Sequence, residues 1–272
     1  MQVATARTPR STYFVQPGSV VRRIWGTADT VLFIFAGAAA EFALNKAVDW
    51  LYFTGRLPAD PLARLFSTVE YARRIVFADR AGAERAIDSM AAIHAAVEAS
   101  RGQAIPAGAY RDVLYMLIAY SIAAFEALER PLTLPEKAEI TDVFLRVGRR
   151  MGIPDLPSDY PAWLADRARH LTQHVQVSPY TTDLYRQYRR HLGGLRYWLL
   201  RQAQWLVAPP LVRQLLGLRR GLGLALALAV YRRTQGRRVS QWLRTSLLPP
   251  AWRAQIRALD APPAALGAGY HP

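Results

Sequence analysis

The sequence predicts an all-α fold, a single helical domain of about 8–12 helices. Apolar residues recur with helical periodicity along nearly all of the 272 residues, and no segment alternates as a half-buried strand does. Helix start and stop signals are frequent, among them Asp60-Pro61, the capping box Thr133–Glu136 and Gly152. A composition of 51% hydrophobic and 20% charged residues excludes a disordered or low-complexity chain.

These signals divide the front two thirds of the chain into six helices, predicted at 27–54, 60–77, 81–100, 107–128, 133–152 and 158–175. The second has Leu62, Leu65, Phe66, Val69 and Ala72 as its apolar stripe. The fourth is apolar on all sides between residues 113 and 125, which is typical of a central, fully packed helix. Beyond residue 182 we expect shorter helices, broken at 193–194, 209–210, 236 and 249–250.

Charge separates the C-terminal third from the rest of the chain. From Leu184 to Leu259 there are fifteen arginines and no acidic residue, whereas the first 183 residues carry twenty cations and nineteen acids. We therefore expect an N-terminal arm at 1–25, a helical core at 26–180, an arginine-rich helical part at 181–260 packed on the core, and a loose tail at 261–272.

Composition also limits where the protein works and what chemistry it can use. The absence of cysteine excludes disulfides, thiolate metal sites and cysteine nucleophiles. The longest uncharged runs that are mainly apolar, such as those at 30–40, 113–125 and 221–231, are shorter than the roughly 18–20 residues of a membrane span. The N-terminus resembles a signal peptide only superficially, because its apolar run is short and begins after Asp29. We expect a cytoplasmic protein, peripheral at the membrane if it binds one.

Two groups of residues are candidates for binding a flat or anionic ligand. His94 lies mid-helix among small residues such as Ala91, which leave space for a flat group, although a lone histidine of this kind is more often a packed or solvated side chain. Arg64, Thr68 and Tyr71 fall at i, i+4 and i+7 and share one helical face. That face would either orient an oxygen or anionic group or form an exposed flank.

Other catalytic patterns are weak. His170 and His174 have metal-ligand spacing on one helical face, but the zincin glutamate is missing between them and no third ligand is evident. We therefore interpret this pair as chance or surface placement. The paired glutamates at 126/129 and 136/139 lack the Glu-x-x-His partner of a di-iron bundle. No phosphate-binding loop, dinucleotide fingerprint or nucleophile elbow is present.

An ordered series of motifs links the chain to a known family. The series begins with Asp60-Pro-Leu-Ala-Arg64-Leu-Phe-Ser-Thr68 and Val-Phe-Ala-Asp79, and His94 follows twenty-six residues after the threonine. Arg-Pro-Leu at 130–132, Met-Gly-Ile-Pro at 151–154 and Leu-Pro at 156–157 complete it. Over about residues 20–170 the sequence resembles the haem-dependent oxygenases that include the bacterial latex-clearing rubber oxygenases and the fungal MpaB-type oxygenases.

The resemblance implies an all-helical fold whose core, residues 26–180, binds haem b with His94 as the axial iron ligand. It also implies that Arg64 and Thr68 lie near the haem, on the oxygen-binding side, with catalytic roles, and that Tyr71 and Ala91 belong to the cofactor-binding set. Activities in the family use dioxygen, for instance to cleave a carbon–carbon double bond in an isoprenoid chain.

The chain also departs from the family pattern. Ser67 stands where rubber-cleaving members have a lysine, and Asn45-Lys46 falls where many relatives carry a His-Pro. The glutamate proposed as catalytic in rubber cleavage has no secure match, so Asp49 and Glu41 are the candidates for a catalytic base.

The functional prediction is a haem-b-dependent oxygenase that acts with dioxygen on a hydrophobic small molecule. The alternative is a non-catalytic peripheral membrane protein that works through the arginine-rich part, where Trp198, Trp205, Trp242 and Trp252 lie among the arginines. Nucleic-acid binding ranks last, because no recognition motif accompanies the charge.

Overall fold

The computed structural model describes residues 12–53 and 61–221, and the side chains of residues 51, 53 and 61–67 lie outside that description. The described chain is helical without a strand, which confirms the all-α prediction. In chain order the helices are α1 (Val20–Trp25), α2 (Ala28–Phe42), α3 (Asp49–Phe53), α4 (Pro61–Phe77), α5 (Arg80–Arg101), α6 (Ala107–Leu128), α7 (Leu134–Arg150), α8 (Tyr160–His174), α9 (Pro179–Val207) and α10 (Pro210–Leu215). Among the described residues, no helix combines the length and apolar character needed to cross a membrane.

Local signals set most of these helix ends. The Asp79 carboxylate accepts a hydrogen bond from the Gly82 amide at 2.6 Å and so caps the start of α5. The same helix ends at Gly102, which has a left-handed φ of 67°. Thr133 and Glu136 form the predicted capping box of α7. The predicted breaks at Gly193, where φ is 72° inside α9, and before Pro210 are also confirmed.

The prediction of one helix over 27–54 is wrong. Helix α2 ends at Phe42, and α3 begins only at Asp49, after a turn over residues 43–48. Within this turn the Asn45 side chain accepts a hydrogen bond from the Ala47 amide at 2.8 Å. The turn also pairs with the end of α8, since the Lys46 amide donates to the His174 carbonyl at 2.9 Å. Backbone groups that pair with another segment cannot continue a helix, and the apolar periodicity did not reveal this.

Smaller differences concern elements at the edges of the prediction. Helix α1 has no counterpart in the prediction and buries Val21, Ile24 and Trp25 completely. These residues lie in the segment expected to be an N-terminal arm, so this part of it packs into the core. Helix α8 begins after Asp159, one residue later than the predicted start. The breaks expected at 236 and 249–250 and the tail lie outside the described residues.

Helix α6 is the centre of the domain, as its apolar sequence predicts. It packs against α2, α7, α8 and α9. Its side chains Tyr115, Ile118 and Phe125 are fully buried. The approach of α2 is close because Gly37 lacks a side chain: a Cβ there would lie 2.2 Å from the Tyr120 ring. Any larger residue at 37 would push the two central helices apart.

Helices α4 and α5 form a hairpin beside this centre, joined by residues 78 and 79. Val69 and Ala72 of the predicted α4 stripe are buried, and Ala83 and Ile87 of α5 are fully buried. The other stripe residues, at 62, 65 and 66, lie where side chains are not described. The hairpin contacts the rest of the domain through α1 and α7.

A buried ion pair joins three helices of the core. Glu41 of α2 accepts two hydrogen bonds from Arg167 of α8, and the Tyr120 hydroxyl of α6 donates to the same carboxylate at 2.8 Å. Both charged side chains are less than a tenth exposed. Burial alone would lower the pKa of Arg167, but Glu41 outweighs it and raises that pKa, so the guanidinium stays charged.

Arg167→Ala should lower the free energy of unfolding by about 3–5 kcal/mol, because it leaves the Glu41 carboxylate buried without a countercharge. Urea denaturation followed by circular dichroism measures this change. The matched control is Arg186→Ala, which breaks an exposed pair with Asp183 at 3.0 Å and should cost less than about 1 kcal/mol. Equal effects of the two substitutions would contradict a structural role for the buried pair.

Candidate functional site

The α4–α5 hairpin carries the residues that the sequence analysis assigned to the cofactor. Because α4 is helical from Pro61 to Phe77, Arg64, Thr68 and Tyr71 do share one face of it. Thr68 and Tyr71 are half-buried, whereas the side chain of Arg64 lies outside the description. The face therefore borders the interior at least at Thr68 and Tyr71 and is not a fully solvated flank.

His94 lies on the inward stripe of α5. It follows Ala83, Ile87 and Met90 at steps of four, three and four residues and is itself half-buried. The Tyr110 ring of α6 meets the imidazole edge-on, with 5.4 Å between the ring centroids. The Tyr110 hydroxyl donates to Glu98 at 3.2 Å, and burial together with that carboxylate raises the pKa of Tyr110 to about 12.

The two ring nitrogens of His94 have different environments. Nδ1 lies 2.8 Å from the Met90 carbonyl oxygen, an acceptor that requires a proton on Nδ1. The lone pair of the neutral ring is then on Nε2. Histidines that ligate metals commonly have their second nitrogen fixed in this way by a carbonyl or carboxylate. The flanking Ala91 and Ala95 add little bulk, so the donor set and its surroundings fit a haem ligand.

The geometry of the hairpin relates His94 to α4. Asp79, at the connection, is fifteen residues after Arg64 and fifteen residues before His94. Both helices rise about 1.5 Å per residue. In an antiparallel pair, Arg64 and His94 therefore lie at similar heights, with Thr68 about one turn nearer the connection. The backbone positions of Arg64, Thr68 and His94 therefore lie within about one helical turn of one another along the hairpin axis.

The structure distinguishes the two candidate bases. Glu41 is enclosed by Arg167 and Tyr120 in the buried ion pair, so it is not available to a substrate. Asp49 begins α3 and pairs with Arg101 of α5 at 2.8 Å. Arg101 is seven residues after His94 and so lies on the same face of α5. Of the two candidates, Asp49 is therefore the one that contacts the face of α5 on which His94 lies.

A second group of polar side chains lies between α6 and α8. Asp112 of α6 contacts both histidines of α8: its Oδ1 is 2.7 Å from His170 Nδ1, and its Oδ2 is 2.8 Å from His174 Nδ1. The three donor atoms lie within 4.8 Å of one another, close enough to hold a metal ion. The expectation of surface placement is wrong for His170, which is buried.

Further polar residues surround this Asp112–His170–His174 cluster. Asn45 donates to Asp112 Oδ2 at 2.8 Å, and Asp166 Oδ2 lies 3.8 Å from His170 Nε2. Tyr115 donates to the same Asp166 oxygen at 2.5 Å. Burial alone would raise the pKa of Asp166, but the Tyr115 hydrogen bond and His170 outweigh it and lower that pKa. The Asp166 carboxylate is therefore ionised at neutral pH.

Asp112, the third member of this group, was not predicted from the sequence. It lies 58 residues before His170 and on a different helix, so spacing along the chain gives no indication of the contact. One signal was available: Asp112 is an acidic residue immediately before the apolar run at 113–125. An acidic side chain on the packed face of a central helix needs a partner in the core.

Comparison with known protein families identifies a family for this chain. The family described as "ER-bound oxygenase mpaB/B'/Rubber oxygenase, catalytic domain" matches residues 22–265. No curated protein and no solved structure matches the chain. The match confirms the resemblance found in the sequence and extends it beyond residue 170, so the arginine-rich part at 181–260 falls within the matched region.

Proposed function

This chain belongs to the family of mpaB/B' and rubber oxygenase catalytic domains, and from that premise we propose that it is a haem-b-dependent oxygenase with its site on the α4–α5 hairpin. An oxygenase domain uses dioxygen and an organic substrate. We propose a hydrophobic small molecule as the substrate, because α6, whose Tyr110 faces His94, is mostly apolar and would line an apolar pocket. Family membership favours this function over the non-catalytic alternative.

The observation that carries the haem proposal is the environment of His94. Its Nδ1 lies 2.8 Å from the Met90 carbonyl oxygen, so the lone pair of the neutral ring, which would bind iron, is on Nε2. The chain has no cysteine, which excludes a thiolate ligand. The exposed His191 of α9 lies outside the hairpin, and His170 and His174 share one carboxylate in the core. His94 is therefore the ligand that the described geometry supports best.

The other candidate residues would each have a different role in binding the haem or in the reaction with dioxygen. Haem, when bound, supplies the chemistry that lets dioxygen react with an organic substrate. Arg64 provides a permanent positive charge for a propionate or for an oxygen that gains negative charge. Thr68, one turn away on the same face, provides a hydroxyl that donates a hydrogen bond to the same region. Tyr71 and Ala91 border the cofactor, and Asp49 is the candidate for holding a proton.

We also propose that the arginine-rich part attaches the enzyme to anionic membranes. Where the structure describes this part, Leu195 and Trp198 of α9 are 63% and 45% exposed, and Arg189 and Arg190, which precede the kink at Gly193, are exposed as well. Exposed apolar residues next to exposed arginines suit an interface of acyl chains and acidic headgroups. The described contacts of Arg201 and Arg213 include backbone carbonyls, so these side chains also brace the fold.

His94→Ala should give a folded helical protein with little or no bound haem, because the proposed iron ligand is removed. The Soret absorbance and the haem content per chain measure the loss, and circular dichroism checks the helical fold. His191→Ala, on the exposed side of α9, is the matched control and should retain haem at the wild-type level. Full haem occupancy with an unchanged Soret band in His94→Ala would refute the assignment.

Arg64→Ala and Thr68→Val should each lower turnover by at least tenfold while the protein keeps its haem, since one hydrogen-bond donor at a reacting oxygen contributes about 10²–10³ in rate. Oxygen uptake with a panel of hydrophobic alkenes, including isoprenoid chains, provides the assay. Thr182→Val, at an exposed threonine near the start of α9, is the control. If both hairpin variants turn over the substrate at the wild-type rate, the pair has only a structural role.

The protein should float with vesicles that contain phosphatidylglycerol and should dissociate as salt is raised, because each arginine near an anionic surface contributes about 1 kcal/mol. Arg189→Glu combined with Arg190→Glu should weaken binding by at least tenfold, whereas vesicles of phosphatidylcholine alone should bind little. A protein that stays unbound at low salt, or that binds equally to both vesicle types, would contradict membrane attachment through these charges.

A further inference from the structure

The Asp112–His170–His174 cluster is not used by the proposed haem site. Its members come from α6 and α8, whereas the haem candidates come from α4 and α5. The two imidazole rings lie 4.7 Å apart and are packed with Tyr115, whose ring centroid is 5.2 Å from that of His170. Rings packed this closely leave no space for a porphyrin between them.

We propose that Asp112, His170 and His174 bind a divalent first-row transition ion such as Zn²⁺. Two imidazoles and one carboxylate are a common ligand set for zinc and its neighbours in the row. One face of a helix supplies the two histidines at i and i+4, and the Asp112 carboxylate faces them from the adjacent helix. Two histidines four residues apart can occur by chance, but here a third donor on another helix contacts both of them.

The distances are close to those of a loaded site. Zinc binds nitrogen and oxygen ligands at about 2.0–2.2 Å, so tetrahedral ligand atoms lie about 3.3 Å apart. The His170 Nδ1 and His174 Nδ1 atoms are 2.7 and 2.8 Å from the Asp112 oxygens. An increase of about half an ångström would give these two pairs the tetrahedral separation, and all three donor atoms already lie within 4.8 Å of one another. The Asp112 carboxylate, which now accepts hydrogen bonds from the histidines, would then bind the ion while the backbones of α6 and α8 stay in place.

Residues around the cluster support the same ligand geometry. When Nδ1 of His170 binds a metal, its proton is on Nε2, which lies 3.8 Å from the Asp166 carboxylate. Asn45 orients Asp112 through its hydrogen bond of 2.8 Å. A hydrogen bond to a metal ligand fixes its orientation, as the Asn45 amide does for Asp112. These partners would keep the ligands in place before the ion arrives.

The cluster is open on one side. The side chain of His174 is 30% exposed, whereas those of His170 and Asp112 are 8% and 5% exposed. An ion would therefore enter past His174 and keep a water as a further ligand on that side. Gly108 leaves space for this imidazole, because a Cβ there would lie 3.0 Å from His174 Cε1. The bound ion would clamp α6, α8 and the turn at 43–48 together.

The test uses full-length protein without a histidine tag, stripped with a chelator and titrated with ZnCl₂. We expect one zinc per chain, a micromolar or tighter Kd, and a higher Tm with zinc than without. His174→Gln and Asp112→Asn should weaken zinc binding by at least tenfold, and His191→Gln, at an exposed histidine, should bind as the wild type does. His174→Gln decides the question if Asp112→Asn fails to fold, because His174 is the least buried of the three.

Haem content, measured in the same samples, separates this proposal from the haem proposal. His94→Ala should bind zinc like the wild type whether or not the protein contains haem. The zinc site is refuted if the wild type takes up no stoichiometric zinc, or if His174→Gln binds zinc as tightly as the wild type.

Discussion

The carboxylate of Glu41, buried in the core, sets the register of three helices. A buried carboxylate is stable only with a countercharge and hydrogen bonds, and here Arg167 of α8 and Tyr120 of α6 supply them. The same three segments meet again about one to two turns away. Asn45 is four residues after Glu41, Asp112 is eight before Tyr120, and His170 is three after Arg167. The ion pair thus brings Asn45, Asp112 and His170 to one level.

The two proposed sites lie on either side of the start of α6. Tyr110 faces His94 of α5, and two residues later Asp112 faces the histidines of α8. Helix α6 is also the most central element, so both sites rest on a rigid, buried helix. The ligands of the two sites come from different helices, which explains why haem binding and zinc binding should respond to different substitutions. Membrane attachment would use a third region, on α9.

The fold was largely predictable, because caps and apolar periodicity are local features of the sequence. The limits of α4 to α8 follow from signals such as the Thr133–Glu136 capping box and Gly102. The break in the first predicted helix was not predictable, since it depends on pairing between residues 44–46 and 174–176. The contact of Asp112 with His170 and His174 was equally hidden, because it forms only when α6 and α8 pack. His94 was predicted from the family resemblance, and its hydrogen bond to Met90 adds a physical reason for the choice.

Haem in the wild-type protein is the central claim, and an absorption spectrum with a pyridine haemochrome assay tests it most directly. The protein should be purified from cells supplied with iron and a haem precursor. The account predicts about one haem b per chain, with a Soret band typical of imidazole ligation. A folded, helical protein that contains no haem, and takes up none when haem is added, would contradict it.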